Sequence, residues 1–341
     1  LIGSSDLPAG ANGFDAAALA GVLRNWDAPD VVGHRVVHGG TSFTGPVVID
    51  ADVRQQLEDL TALAPLHQPK SLAALDAVCA LLPDVPAVGC FDTAFHATIP
   101  DDAATYAIPR AWRERYGVRR YGFHGLSHAY AARRAAELLD RPVDELRIVT
   151  CHLGAGASLA AVRAGRSVDT TMGFTPLEGL VMATRSGTVD PGLVLWLIQS
   201  AGLAPGDVSA ALERESGLIA LAGTGDMRAV EAAAAAGNAE AVLAIDVYIH
   251  RLVGAVGAMT SATQGLDALV FTGGVGENSA QVRRLAAQRL GYLGVALDTA
   301  RNDDVHGIDS DLTRTGAPVR TLVVAAREDL QIAQEARSAV H

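Results

Sequence analysis

Two arginines and one histidine lie in segments rich in glycine and other small residues. Arg35 is in the run Gly-His-Arg-Val-Val-His-Gly-Gly, Arg185 is in Thr-Arg-Ser-Gly, and His124 is in Tyr-Gly-Phe-His-Gly, directly before a helical pattern. A planar, permanently charged guanidinium suits a carboxylate or a phosphate, and the start of a helix favours anions. These segments predict an anion site, although Arg35 taken alone is equally consistent with a surface arginine beside two hydrogen-bonding histidines.

An acidic residue, Asp92, follows the apolar run 87–91 and lies in Phe-Asp-Thr-Ala-Phe-His. A carboxylate at the end of a buried strand is suited to hold Mg²⁺ directly or through water. On its own, Asp92 is as consistent with a helix cap or a turn residue.

His124 and His128 are four residues apart, the spacing of neighbours on one helix face. Zinc sites use the same spacing, but a zincin motif has Glu after the first histidine, where this chain has Gly125. The sequence therefore disfavours metal ligation by histidine. A metallohydrolase stays a rival interpretation, and it predicts stoichiometric zinc in the purified protein.

Two glycine-rich segments are suited to phosphate or nucleotide. The segment 152–156, His-Leu-Gly-Ala-Gly, leads into a strand pattern, which excludes a dinucleotide-binding fingerprint because that motif requires a following helix. It predicts either a hairpin whose backbone N–H groups hold a phosphate or an ordinary tight hairpin. The segment 271–279, Phe-Thr-Gly-Gly-Val-Gly-Glu-Asn-Ser, predicts a buried strand, a glycine turn and a helix start, while no Walker A loop occurs.

Apolar strand-like runs alternate with helical patterns along the chain, which indicates α/β layers. Asp190-Pro191 is a typical helix start. Strands are predicted at 31–37, 87–91, 147–152, 159–162, 268–271 and 319–324, and helices at 71–82, 127–139, 191–201, 239–262, 280–290 and 329–339.

Composition limits the classes of function. The 341 residues are 49% hydrophobic and carry a formal net charge of −11, which argues against nucleic-acid or anionic-membrane partners. The apolar stretch 239–264 contains Asp246, His250 and Arg251, so its uncharged part is too short to span a bilayer and is predicted to be a core helix. Cys79, Cys90 and Cys151 are predicted to be buried free thiols, which indicates a reducing cytoplasm.

Seven motifs together resemble the acetate kinase family in its order and approximate spacing: HRVVHGG, LAPLHQP, FDTAFH, RYGFHGLSH, HLGAGAS, DTTMGFTPLEGLVMATRSG and FTGGVGENS. The family belongs to the superfamily of sugar kinases, heat-shock protein 70 and actin (ASKHA, ribonuclease H-like and actin-like). The resemblance implies two related α/β domains with a nucleotide cleft between them, and a homodimer. It assigns 1–92 plus 327–341 to an N-terminal domain lacking its first strand, and 93–326 to a nucleotide-binding, dimer-forming C-terminal domain.

The implied activity is reversible transfer of phosphate from ATP to acetate, giving ADP and acetyl phosphate, with Mg²⁺ or alternatively Mn²⁺. By resemblance, Arg35 and Arg185 bind the carboxylate and the transferring phosphoryl group, His124 stabilises the transition state, and Asp92 and Glu328 lie around the metal. The acyl pocket would be lined by Val37, Leu66, Phe123 and Pro176. The nucleotide would be bound by His152, Leu153, Gly154, Ala155, Gly156, Asp226, Met227, Arg228, Gly274, Val275, Gly276, Glu277 and Asn278.

The sequence also departs from the family. It begins after the family's glycine-serine loop and lysine, so an incomplete N-terminus with weakened catalysis is expected. Ala155 replaces an asparagine of the phosphate loop, which removes a side-chain donor. Three alternatives stay open: a propionate or butyrate kinase, a catalytically impaired nucleotide-binding paralogue, and the metallohydrolase above.

Overall fold

The computed structural model describes residues 9–10, 13–14, 16–24, 27–64, 68–305 and 307–341. The strands are β1 Ala9–Gly10, β2 Gly13–Phe14, β3 Val32–Val36, β4 Val47–Val48, β5 Ala87–Phe91, β6 Arg147–Leu153, β7 Ala157–Arg163, β8 Arg166–Thr170, β9 Ala268–Thr272, β10 Ser310–Asp311 and β11 Arg320–Val323. The α-helices are α1 Ala16–Leu23, α2 Ala51–Asp59, α3 Gln68–Leu81, α4 Asp101–Ala104, α5 Arg110–Tyr116, α6 Gly125–Leu138, α7 Pro191–Gln199, α8 Pro205–Arg214, α9 Leu218–Ala222, α10 Met227–Ala235, α11 Ala239–Thr263, α12 Gly273–Asn278, α13 Ala280–Arg289, α14 Thr299–Asp304 and α15 Glu328–Val340.

The chain divides into two compact units, Leu1–Ala97 with Glu328–His341, and Thr98–Arg327. In the first, β3 and β4 flank β5, with β3 parallel and β4 antiparallel to it. Every residue of β5 is buried, as expected for a central strand covered on both faces. Helix α15 packs on β3 so closely that a Cβ on Gly33 would lie 2.4 Å from Ile332 Cγ2. This packing brings the far end of the chain to the same sheet as β3 and β5.

The second unit is built on a mixed sheet in the order β10-β11-β9-β6-β7-β8. Strands β6, β7 and β8 form an antiparallel meander, and β9 and β11 continue the sheet in parallel to β6. The glycine segment 152–156 covers the end of β6 and the β6–β7 turn at residues 154–156, so the predicted hairpin is confirmed. Strand β9 runs straight into α12, which confirms the predicted strand, glycine turn and helix start.

Helix α11, with its 25 residues, is long and apolar enough by length and composition alone to cross a membrane. The prediction concerned its uncharged part, which runs in the helix only from Leu252 to Thr263, short of the roughly 20 residues that a span needs. Ile249, Leu252 and Val256, which are at most 1% exposed, recur at helical spacing on the face that packs against β6 and β7. The packing supports the predicted core helix.

The predicted strands and helices all occur, with ends displaced by a few residues. The sequence patterns missed several elements. Among them are helices α1, α2, α4, α5, α8, α9, α10 and α14 and strands β1, β2, β4, β8 and β10. Strand β8 was missed because its five residues include Arg166 and Asp169 and so show no apolar run. Asp190 accepts a hydrogen bond from the Gly192 N–H at the start of α7, as predicted. Cys90 and Cys151 are buried free thiols, whereas Cys79 is only half-buried. The assignment of functional roles to the two predicted domains stays a prediction.

Candidate active-site residues

Arg35, Asp92 and Glu328 form an ion-pair cluster in the first unit. Arg35 is in β3 and Asp92 directly follows the adjacent parallel strand β5, so both side chains reach the same strand-end region. Arg35 Nη2 lies 2.8 Å from Asp92 Oδ2, and Arg35 Nη1 lies 2.9 Å from Glu328 Oε2 at the start of α15. Burial opposes the charge on Arg35, but the two carboxylates outweigh it and raise its pKa. Burial raises the pKa of Glu328, against the pull of Arg35.

The two carboxylates fit a divalent cation. Asp92 is 2% exposed, and both acids meet one guanidinium, so their oxygens converge on a small volume. Mg²⁺ is usually held by one or two carboxylates together with water and phosphate oxygens. Among the residues that the structure describes, no group of three or more His, Cys, Asp or Glu side chains is placed to hold a metal. A bound nucleotide and water would therefore have to complete the coordination.

His124 is the residue before α6 and has a left-handed backbone, with φ of 55°. Its Nδ1 lies 2.9 Å from Ser158 Oγ on β7, and its ring stacks on His152 with centroids 4.3 Å apart. His152 Nδ1 in turn lies 2.8 Å from Ser127 Oγ. The sheet and the helix start thus hold the His124 ring from two sides.

Arg185 reaches the same region of the second unit. Its Nη1 donates to the Pro176 carbonyl oxygen over 2.7 Å, and burial lowers its pKa. A Cβ built on Gly156 would lie 3.1 Å from Arg185 Nη2 and 3.4 Å from His124 Nε2. The absence of a side chain at Gly156 therefore leaves one small volume facing both a guanidinium and an imidazole nitrogen, which is the arrangement that an anionic oxygen requires.

A polar cluster of Tyr106, Arg120 and Glu178, which the sequence motifs did not indicate, holds the loop that precedes Arg185. The Tyr106 hydroxyl donates to Glu178 and accepts from the Phe174 N–H over 3.0 Å. Arg120 Nη2 donates to Glu178 Oε1 over 2.8 Å, and Arg120 Nη1 donates to the carbonyl oxygens of residues 170–172. Because Pro176 lies inside this loop, the cluster also fixes the carbonyl that Arg185 contacts.

A cavity of about 550 Å³ gathers many of the predicted nucleotide residues in the second unit. It is lined from the predicted set by Gly154, Ala155, Asp226, Met227, Arg228, Gly274, Val275 and Asn278, and additionally by Leu218, Gly225, Glu231, Tyr248 and Ser279. A volume of this size and the N-terminal end of α10, capped by Asp226, suit a nucleotide. Tyr248, which is 4% exposed, is in the core helix α11 and was not singled out from the sequence.

The remaining predicted nucleotide residues do not line this cavity. Gly156 faces Arg185, and His152 and Leu153 are in β6 beside it. Glu277 has a bracing role, since its Oε1 accepts from the N–H groups of Gly273 and Ala326, each over 2.9 Å. Gly276 is buried within α12.

The predicted acyl-pocket residues are divided among the units. Val37 follows β3 in the first unit and is half-buried, whereas Phe123 and Pro176 are in the second, with Phe123 only 2% exposed. Leu66 lies outside the described residues. Their common role as an acyl pocket stays a prediction.

The order of the motifs agrees with comparisons to known proteins. The sequence matches the Acetokinase family over residues 16–334. The chain belongs to this family. It is 47% identical to an acetate kinase of Microcystis aeruginosa over 98% of the chain and 84% of that protein, and 51% identical to one of a Synechococcus strain over 89% of the chain and 74% of that protein.

Solved structures of an acetate kinase and a propionate kinase are similar to the chain over most of its length. The crystal structure of Porphyromonas gingivalis acetate kinase matches with a TM-score of 0.91 and 38% identity, covering 96% of this chain and 85% of that one. A propionate kinase from Francisella tularensis matches with a TM-score of 0.88 and 37% identity, covering 94% and 82%. The predicted family and the ASKHA fold class are confirmed.

Proposed function

We propose that this chain catalyses the reversible, Mg²⁺-dependent transfer of the γ-phosphoryl group of ATP to acetate, giving acetyl phosphate and ADP by direct in-line transfer. Membership of the Acetokinase family makes it a phosphotransferase with a carboxyl group as acceptor. The observation that carries the proposal is the volume at Gly156, which faces both Arg185 Nη2 and His124 Nε2.

The chemistry needs positioning and charge compensation more than covalent help. The transferring phosphoryl group spreads negative charge over its equatorial oxygens, and preorganised cations and N–H donors stabilise that charge. Arg185 supplies the cation and His124 supplies the N–H donor, and both residues are in the second unit. The acetate oxygen is already a nucleophile, so no general base is required.

In this proposal, the first unit supplies the arginine that binds the acetate carboxylate and the carboxylates that bind the metal. We assign Arg35 to the acetate carboxylate and Asp92 with Glu328 to the divalent cation, with Mn²⁺ as an alternative ion. When bound, the cation neutralises charge on the nucleotide phosphates. Because Arg35 is ion-paired to both acids, the arriving cation and carboxylate would exchange these contacts for new ones.

Acetate is the proposed acid, and the resemblance to the family assigns Val37, Leu66, Phe123 and Pro176 to the acyl group. The similarity to a propionate kinase structure supports propionate as a second substrate. One methylene in an apolar pocket is worth only about 1–3 kcal/mol, so activity with both acids is expected.

A homodimer and a cytoplasmic location complete the proposal. Helix α7 has no buried residue and exposes Leu193, Leu195 and Trp196, whose exposed fractions are 44%, 55% and 57%. Such an apolar face is typical of a surface covered by another subunit. The net charge of −11 continues to argue against nucleic acid or an anionic membrane as a partner.

The test is to incubate the purified protein with MgATP and acetate, propionate or butyrate and to trap acyl phosphate with hydroxylamine. Arg185→Lys, which keeps a charge but loses the planar fork, is the matched variant. Acyl phosphate formed by the unsubstituted protein, with a large decrease in its rate of formation in Arg185→Lys, would support the proposal. A folded protein that binds ADP without forming acyl phosphate would refute it in favour of a nucleotide-binding paralogue, and stoichiometric zinc would favour a metallohydrolase.

A further inference from the structure

A chain of four hydrogen-bonding side chains runs from the interior of the second unit to His124. Thr150 Oγ1 on β6 lies 2.7 Å from His128 Nδ1, and His128 Nε2 lies 2.8 Å from Ser158 Oγ on β7. Ser158 Oγ lies 2.9 Å from His124 Nδ1. Thr150, His128 and Ser158 are all fully buried.

The direction of this chain is decided at Thr150. Among the residues that the structure describes, the acceptor within reach of its hydroxyl besides His128 is the Ala160 carbonyl oxygen, at 3.5 Å. A hydroxyl hydrogen bond is normally about 2.5–3.0 Å long, so the carbonyl oxygen at 3.5 Å is a poor acceptor, and we assign the Thr150 hydroxyl hydrogen to His128 Nδ1 at 2.7 Å.

The remaining roles follow from the number of protons available. In a neutral imidazole one nitrogen donates and the other accepts, so His128 with an accepting Nδ1 carries its proton on Nε2. Ser158 therefore accepts from His128, and its single hydroxyl hydrogen points to His124 Nδ1. With Nδ1 accepting, neutral His124 carries its proton on Nε2.

We propose that Thr150, His128 and Ser158 are positioning residues that keep the proton of His124 on Nε2, the nitrogen that faces the volume at Gly156. An anionic phosphoryl oxygen in that volume needs a donor, and a histidine with its proton on Nδ1 would present a lone pair instead. This inference rests on the proposed catalytic role of His124. It also gives the four-residue spacing of His124 and His128 a use other than metal binding, since both rings contact one serine hydroxyl.

The hydrogen-bonded chain from Thr150 through His128 and Ser158 to His124 is called the relay below. Histidine-selective ¹⁵N labelling tests the relay without substrate. The imidazole nitrogen shifts of His124, assigned with His124→Asn, report which nitrogen is protonated at pH 7.5. We expect a protonated Nε2 in the unsubstituted protein, and a mixture of the two neutral forms in Ser158→Ala and Thr150→Val. Thr321→Val is the matched control, because in the described part of the chain the buried Thr321 hydroxyl has no partner.

Kinetic measurements test the relay separately from the proposed role of His124 in phosphoryl transfer. Partners that orient metal-ligating histidines contribute about 10- to 100-fold to activity, and we expect an effect of that order at His124. The value of kcat should therefore fall about 10- to 100-fold in Ser158→Ala with little change in KM. Thr150→Val keeps the side-chain shape and carries the test if Ser158→Ala does not fold. A His124 proton on Nδ1 in the unsubstituted protein, or shifts unaffected by either variant, would overturn the relay. Altered shifts with unchanged kcat would support the relay and overturn the role of His124 in phosphoryl transfer.

Discussion

Gly156→Ala is the sharpest perturbation of the proposed phosphoryl position. Gly156 has an ordinary backbone conformation, so alanine introduces no backbone strain. Its methyl group would lie 3.1 Å from Arg185 Nη2 and 3.4 Å from His124 Nε2. These neighbours are ends of side chains, and shifts of a few tenths of an ångström accommodate the methyl group. We therefore expect a folded protein.

The expected effect on catalysis is large. A phosphoryl oxygen accepting from the same two groups must lie about 2.7–3.1 Å from each, which is nearly where the methyl carbon would be. The substitution excludes that oxygen and weakens two charge-stabilising contacts at once. Loss of one such donor typically costs about 10²–10³ in kcat, so a decrease of at least about 10² is expected.

The hydroxamate assay with MgATP and acetate gives kcat, and isothermal titration with ADP reports nucleotide binding separately. Gly45→Ala is the matched control, since Gly45 also has an ordinary backbone and its Cβ would meet nothing within 4 Å. We expect ADP binding to persist in Gly156→Ala. A kcat within threefold of the unsubstituted protein would refute the placement of the phosphoryl group at Arg185 and His124.

Three further outcomes are expected. Asp92→Asn keeps a hydrogen-bond acceptor for Arg35 but removes a carboxylate charge. The Mg²⁺ concentration that gives half-maximal rate should therefore rise, and kcat should fall at least about tenfold. An unchanged Mg²⁺ dependence of the rate would contradict the metal assignment. Tyr106→Phe removes the hydroxyl that donates to Glu178, and urea unfolding should show a loss of about 2 kcal/mol, whereas no loss would show that the cluster does not brace its loop. Burial lowers the pKa of His38 from 6.5 to about 4, so the folded state resists protonation and stability should fall as pH decreases from 7.5 to 4.5. The fall should be roughly 2–3 kcal/mol greater than in His38→Asn, and equal pH dependence in the two proteins would exclude this cause.

The sequence by itself determined the family, the fold class and the main strands. Apolar runs with β-branched residues mark buried strands such as β5 and β9 locally, and the order of seven motifs cannot arise by accident of composition. Arg35, Arg185 and His124 were recognisable as anion-site candidates from their residue types and glycine neighbours, and the joint order of the motifs separated them from ordinary surface residues. Strand β8 was missed because Arg166 and Asp169 lie among its five residues, so it shows no apolar run.

The tertiary structure alone decided which side chains share a hydrogen bond. The Arg35–Asp92 pair depends on the parallel register of β3 and β5, and Arg35–Glu328 depends on the packing of α15 on that sheet. The contacts of His124 with Ser158 and of Tyr106 with Glu178 join residues 34 and 72 positions apart. Serine, threonine and tyrosine are common on any surface, so their roles appear only when strand register and helix packing bring them within about 3 Å of a partner.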